Sequence, residues 1–336
     1  MKKSLLALSV LAAVAGTASA QTSVSIYGVV DAGISYSDNG AATNSKTWAL
    51  GSGQQSGSRL GFKGSENLGG GLSAIFTLEN GFNVDDGTQG QGRLFGRQAF
   101  VGLSGGFGSV KLGRQNNPIR ASAEAIDPFA LGLAGDIKRV FNVYGERADN
   151  TINYSTPNLS GFSGQVAYSF GEVAGSTSAG RQLGLSGNYA NGPIFLTLAY
   201  HNQDKSTDAI ANKGSAKSTL LGGTYNFGVA KLHGGFAWNK GDTGTVDNVD
   251  SRDWMLGVSA PVAGGTVLAS YIQHKDKLVN DADAKQWALG YTYDLSKRTN
   301  LYTSYAKVNN DAKSKIVSTV AGGSASTFNV GIRHKF

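Results

Sequence analysis

Residues 23–36 read Ser-Val-Ser-Ile-Tyr-Gly-Val-Val-Asp-Ala-Gly-Ile-Ser-Tyr, and this stretch decides the fold. Val24, Ile26, Val30, Ala32, Ile34 and Tyr36 fall on one parity, and Ser25, Asp31 and Ser35 on the other. A period of two is the signature of a strand with one apolar and one polar face. The pattern recurs along the chain. Leu72, Ala74, Phe76 and Leu78 oppose Ser73, Thr77 and Glu79, and Leu183, Leu185 and Tyr189 oppose Gln182, Ser186 and Asn188. Leu232, Phe236 and Trp238 oppose Lys231, His233 and Asn239, and the segments 251–260, 286–293 and 326–336 continue the series. Helical periodicity is nearly absent.

Short turn signals punctuate these segments at Asn67–Gly71, Gly105–Gly108, Pro157–Gly161, Ala190–Pro193, Asn226–Ala230, Pro261–Gly265 and Asp294–Arg298. Longer polar stretches such as Asp204–Lys217, Gly241–Arg252 and Lys275–Ala284 lie between them. Strand, long loop, strand, tight turn is the repeating unit, and it yields sixteen strands. One interval between turns is longer than the rest and places an oversized third loop at about Gln115–Glu146. Tight turns on one rim and loops on the other, joining alternating segments of about ten residues, mark an outer-membrane barrel. The expected fold is all-β, a sixteen-stranded antiparallel transmembrane β-barrel. A soluble sandwich or propeller fits less well, because one face stays polar or glycine throughout, as a water-filled lumen requires. Tyr36, Phe170, Tyr189, Trp238, Tyr293 and Phe336 sit toward strand ends, where an interfacial girdle lies.

Composition agrees. The 336 residues include 48 Gly, no Cys and only 16% charged residues, with a formal charge of +7. Zero Cys excludes disulfide scaffolds, thiolate metal sites and Cys nucleophiles. The basic start Met1-Lys2-Lys3, the apolar run from Leu5 to Ala15 and the small-x-small Ala18-Ser19-Ala20 form a secretory signal peptide. The run is too short to span a bilayer. The expected organisation is therefore a removed segment 1–20 and a single barrel domain over 21–336.

Enzymatic constellations are weak. Gly102-Leu103-Ser104-Gly105-Gly106 matches the nucleophile-elbow pattern but ends a strand at a hairpin instead of opening a helix. His201, His233, His274 and His334 have no metal-ligand spacing, and Asp85-Asp86 belongs to a solvated loop. No basic helix or aromatic-interleaved patch points to nucleic acid. The reading is a non-enzyme with no cofactor, no metal and no nucleic-acid partner.

Several segments resemble the trimeric, sixteen-stranded general diffusion porins of Gram-negative bacteria, closest to the betaproteobacterial ones. They are Ser25–Gly33, Ser58–Glu66, Gly96–Leu103, Val110–Gln115, Asp149–Ser155, Leu295–Tyr302 and the final Gly331-Ile332-Arg333-His334-Lys335-Phe336, in order and across the whole mature chain. The resemblance implies a homotrimer in the outer membrane, in contact with its lipid and lipopolysaccharide, that passes small hydrophilic solutes and inorganic anions by passive diffusion, and it implies an infolded third loop, folded into the pore. It places Arg59, Arg97 and Arg147 on the wall of a constriction, facing the third loop, with Arg114 where that loop begins. The opposing carboxylates would be Glu124 and Asp127 on the loop and Glu79 on the wall. The loop carries Asp127-Pro128-Phe129 where enteric relatives have Pro-Glu-Phe-Gly, which leaves its acidic positions open. Alternation supports an inward Arg59 but conflicts with an inward Arg97, which would carry Ala99, Val101 and Leu103 inward with it. The terminal Val330, Ile332, His334 and Phe336 share one face and resemble the signal read during barrel assembly. Two rival readings stand beside the anion-preferring pore: a barrel that displays its loops as an adhesin or receptor, and a channel selective for one solute class.

Overall fold

The computed structural model describes residues 23–141, 145–209 and 212–336; the expected signal segment 1–20 lies outside them. Among the described residues, seventeen strands form one closed antiparallel sheet. They are β1 (Ser23–Asp38), β2 (Lys46–Ser52), β3 (Arg59–Gly69), β4 (Leu72–Gly81), β5 (Gln98–Gly105), β6 (Gly108–Asn116), β7 (Arg147–Ser155), β8 (Phe162–Ser169), β9 (Gln182–Asn191), β10 (Ile194–Asp204), β11 (Ser215–Asn226), β12 (Lys231–Asp242), β13 (Asp247–Val262), β14 (Gly265–Asp276), β15 (Ala284–Asp294), β16 (Thr299–Asn310) and β17 (Ala325–Lys335). Both β2 and β3 pair with β1, so they are two halves of a single barrel strand and the barrel has sixteen. The break falls at Gly53-Gln54-Gln55-Ser56-Gly57, where glycines interrupt the ladder.

Strand β1 also pairs with β17, from Val29 opposite Lys335 to Asp38 opposite Ser326. Phe336 adds two reciprocal backbone bonds with Gly28, each 3.1 Å long. Closure leaves no strand edge unpaired, which hydrocarbon demands because it offers no hydrogen-bonding solvent. Both ends of the barrel wall lie at the tight-turn rim. The Phe336 ring lies where any side chain at residue 28 would stand, so Gly28 is required by close approach.

The alternation read from the sequence maps onto the two faces. Val24, Ile26, Leu198, Leu221, Leu256 and Leu289 are exposed on the outer wall. No helix of the described residues is long and apolar enough to cross a membrane; the strands provide the spanning surface.

The inner face departs from the expectation that it stays polar or glycine throughout. Ala199, Leu220, Ala237, Met255, Ile272 and Val308 point inward and are fully buried. They are covered by the third loop, whose described residues 117–141 and 145–146 fold into the barrel. Its helix α1 (Pro118–Ile126) sets Ile119, Ala123 and Ile126 against that wall. Gly222 and Gly235 leave room for the Ile126 side chain. The infolded loop turns this side of the lumen into a packed core, so inward positions there are apolar for the ordinary reason that they meet no water.

Candidate functional site

The helix is followed by a turn built around Asp127. Its carboxylate accepts backbone bonds from Phe129 (3.0 Å), Leu131 (2.9 Å) and Ile137 (3.2 Å). Ala130, Leu131 and Leu133 adopt left-handed backbone conformations around it. Beyond the turn, the Ala134 amide donates to Ser304 Oγ (2.9 Å), Gln286 donates to the Gly135 carbonyl (3.3 Å), and Arg139 donates to Thr327 Oγ1 (2.7 Å). The loop therefore crosses the lumen and is fastened to β15, β16 and β17.

The 53–58 break folds inward to meet it. Asp31 accepts from the amides of Gln55 (2.9 Å) and Ser56 (2.6 Å) and from the Tyr302 hydroxyl (2.6 Å). The Leu133 amide then donates to the Gln54 carbonyl at 2.5 Å, joining the infold to the loop.

Two adjoining cavities flank this junction. One, of about 310 Å³, is lined on its charged side by Arg59, Arg97, Arg120, Lys138, Arg147, Glu124, Asp136 and Glu146. The other, of about 390 Å³, shares Gln55, Ser56, Arg59, Glu124, Ala130 and Leu133 with the first and adds Arg333 and Lys335. Thr266 and Lys335 place the second cavity toward the tight-turn rim, so the pair outlines a path through the barrel with Arg59 and Glu124 at the waist.

Seven cationic side chains against three carboxylates line this path. Glu124 is held by Arg120 (2.6 Å). Lys138 reaches Glu146 at 2.7 Å and Asp136 at 3.5 Å, and Arg147 lies 3.4 Å from Glu146. Burial disfavours the ionised form of Glu146, but bonding to Lys138 and the nearby Arg147 and Arg120 charges outweigh it and hold this carboxyl below the usual range. Arg59, Arg333 and Lys335 have no carboxylate within 4 Å among the described residues. The Nε atoms of Arg59, Arg120 and Arg147 are buried without a hydrogen-bond partner among the described residues.

Arg59, Arg97, Arg147 and Glu124 from the expected set thus meet around one cavity. Arg97 escapes the alternation conflict because it precedes β5, whose ladder begins at Gln98; Val101 and Leu103 face outward and Arg97 inward. Three expected residues stand elsewhere. Arg114 does not line the path. It follows Gly113, at a shift in the β6–β7 register, and lies opposite Ala99 in the outward series. Its guanidinium bonds to Asp149 Oδ1 and to the Gly96 carbonyl, both at 2.7 Å. Asp127 is buried as the anchor of the loop turn instead of forming the counter-wall. Glu79 lies behind the arginine wall, where it accepts from Arg97 Nε (2.7 Å) and the Tyr27 hydroxyl (2.8 Å).

Sequence reasoning missed Arg120, Lys138, Asp136, Glu146, Arg333 and Lys335. The last two were within reach of alternation: if Ile332 and His334 face out, Arg333 and Lys335 face in.

The Gly102–Gly106 motif ends β5 in a hairpin with β6, with Gly105 opposite Gly108, so no helix follows its serine. A barrel with an infolded loop and a charged waist defines a pore. Residues 7–313 match the family model described as Gram-negative porin. The chain is 39% identical to outer membrane porin protein 32 of Delftia acidovorans and 36% identical to an outer membrane porin protein of Bordetella pertussis, each alignment covering 100% of both chains. Among solved structures, the anion-selective porin from Comamonas acidovorans matches with a TM-score of 0.83 at 36% identity, over 94% of this chain and 100% of that one. The chain belongs to the Gram-negative porin family. It is an outer-membrane protein whose barrel is a channel for passive diffusion, and the proteins it matches are channels, not enzymes.

Proposed function

We propose that the channel passes small hydrophilic solutes with a preference for anions. The excess of cations around the two adjoining cavities carries this reading. Fixed charge in a narrow, low-dielectric passage raises the local concentration of the opposite ion. Screening acts over about 8–10 Å at physiological ionic strength, so the preference weakens as salt rises. The related Comamonas acidovorans protein is described as anion-selective, in keeping with the same reading. Arg59, Arg97 and Arg147 form the basic wall of the constriction and Glu124 its acidic counterpart. Arg120, Lys138, Arg333 and Lys335 extend the basic lining.

The reading extends to assembly and export. Residues 1–20 are a removed signal peptide, and residues 21–336 form the single barrel domain. The mature protein is a homotrimer, with the sector of residues 23–35, 59–65 and 96–103 at its centre. A trimer form has been solved for an outer membrane protein of Vibrio cholerae that shares this fold at 16% identity and a TM-score of 0.72. Phe336 serves as the assembly signal, and outer-membrane lipid and lipopolysaccharide are the surrounding partners.

The test is the reversal potential across a planar bilayer under a KCl gradient. Wild type should pass chloride over potassium, with stepwise reduction in Arg59→Ala, Arg97→Ala and Arg147→Ala. A triple variant that keeps the wild-type reversal potential would overturn the constriction assignment.

A further inference from the structure

On the tight-turn side of the waist, the path has two unlike faces. One is cationic. Arg59 on β3 and Lys335 on β17 both stand opposite Val29 of β1, so they form one row across three adjacent strands. Arg333 lies two residues from Lys335 on the same inward face and donates through Nε to Asn300 Oδ1 at 2.9 Å. No carboxylate comes within 4 Å of any of the three among the described residues. All three line the cavity of about 390 Å³.

The other face of the same cavity is apolar. Pro128, Phe129, Ala130 and Leu133 of the loop turn and Leu268 of β14 line it. The turn seats on the barrel wall through two glycines. A side chain at Gly257 of β13 would meet the Pro128 ring at 2.7 Å, and one at Gly290 of β15 would meet the Phe129 ring at 2.9 Å. Phe129, Leu133, Leu268 and Ala288 pack in one buried cluster, so this face is held in place and shows the cavity the edges of close-packed side chains. Ala130 is the exposed member. Toward the rim the strip is bounded by Thr266 and Thr292, paired across β14 and β15. The loop-side cavity is built differently. Pro128, Phe129 and Leu268 do not line it, and its cations face Glu124, Asp136 and Glu146, where Glu124 is the one carboxylate of the tight-turn cavity.

A small hydrated ion uses only the cationic face. A fixed apolar strip across from three cations suits a solute with an anionic end and an apolar body, because the strip takes surface out of water while the charge stays in the cationic field. Two of the cations are guanidinium groups, which meet a carboxylate in the plane of their fork and stack on aromatic faces. The cavity volume lies in the range of pockets that hold small ligands. We propose that the tight-turn cavity favours aromatic carboxylates among the anions the channel passes, with the carboxylate toward Arg59, Arg333 and Lys335 and the ring over Ala130, Leu133 and Leu268. The proposal rests on the anion-preferring reading above and gives it a solute class.

The test is the concentration of an added solute that halves the single-channel chloride current in a planar bilayer. The probes are benzoate, acetate, gluconate and benzamide. Benzoate should act at about fivefold lower concentration than acetate, the advantage expected when roughly 40 Å² of ring surface leaves water. Gluconate, polar along its whole length, should gain no such advantage, and neutral benzamide should leave the current unchanged at the concentration where benzoate halves it. Leu268→Thr puts a hydroxyl on the apolar strip. Ala130→Asn puts an amide there, at an exposed position whose left-handed backbone Asn tolerates. Each should bring benzoate and acetate to the same halving concentration. Arg333→Gln with Lys335→Gln should weaken benzoate and acetate alike. Equal halving concentrations for benzoate and acetate in wild type would overturn the proposal. So would benzamide acting as benzoate does, or a benzoate advantage that survives both substitutions on the strip. Should Leu268→Thr fail to assemble, Ala130→Asn decides. The wild-type reversal potential in a KCl gradient, taken in the same membranes, separates the two readings. Chloride preference without a benzoate advantage removes the solute class alone, and absence of chloride preference removes the reading beneath it.

Discussion

Replacing Asp127 tests how the third loop is held in place. Its carboxylate accepts three backbone bonds within a buried turn, and burial, reinforced by the Asp136 charge, pushes its pKa from 3.8 up to about 7. Asp127→Ala leaves three buried N–H groups unsatisfied, at about 1–3 kcal/mol each. It also removes the cost of burying the ionised carboxylate, about 4 kcal/mol for a shift of that size. The balance at neutral pH is a loss of up to about 5 kcal/mol, borne by the loop alone because the barrel ladder is untouched. The pH dependence has a definite sign. A carboxyl with a raised folded pKa binds its proton more tightly when the loop is docked, so docking is firmest below about pH 4 and weakens as pH rises through about 7. Asp127→Asn stays neutral and should lack this dependence. The assays are limited proteolysis of the detergent-solubilised barrel and open-channel current noise. Wild type should grow noisier and more protease-sensitive between about pH 5 and about pH 8, Asp127→Ala should be so throughout, and Asp127→Asn should be flat. Asp127→Ala channels as quiet and protease-resistant as wild type would refute the anchoring role.

A valine at Gly235 would place its Cβ 2.6 Å from Ile126 Cδ1 and should lever α1 into the lumen. Overpacking of this kind costs about 1–3 kcal/mol, and single-channel conductance should fall while the barrel still folds. Tyr302→Phe removes the 2.6 Å bond to Asp31 and should loosen the 53–58 infold, read as added current noise without loss of assembly. Deleting Phe336 removes the two bonds to Gly28 and should cut the folded fraction in the outer membrane while export continues. Unchanged assembly would reduce Phe336 to a girdle aromatic.

Much of the architecture was legible because each barrel strand alternates and each rim has its own connection length. The seven tight turns and the oversized third loop follow from local pattern. What escaped depends on contacts the pattern does not carry. Leu220, Met255 and Ile272 are inward and apolar because a distant helix covers them. Arg97 faces in because the β5 ladder begins one residue later, and Arg114 faces out with Ala99 in the β5–β6 register. Asp127 and Glu124 lie three residues apart on one loop, yet one is buried in a turn and the other faces the path. The Gly53–Gly57 run carried a strand-breaking signal, but nothing in it reveals that Asp31 and Tyr302 would draw it inward.

The central claim is that ions pass the waist between Arg59 and Glu124, beside the junction of the Gly53–Gly57 infold with the third loop, in a cationic field. Ala130 lines both cavities there and is exposed, and the chain has no Cys of its own, so Ala130→Cys places a single reporter thiol in the path. Single-channel current should fall when a sulfonate-bearing thiol reagent is added, and that reagent should react faster than its quaternary-ammonium counterpart, with the difference shrinking at high salt. A current indifferent to both reagents, or a faster reaction with the cationic one, would contradict the account.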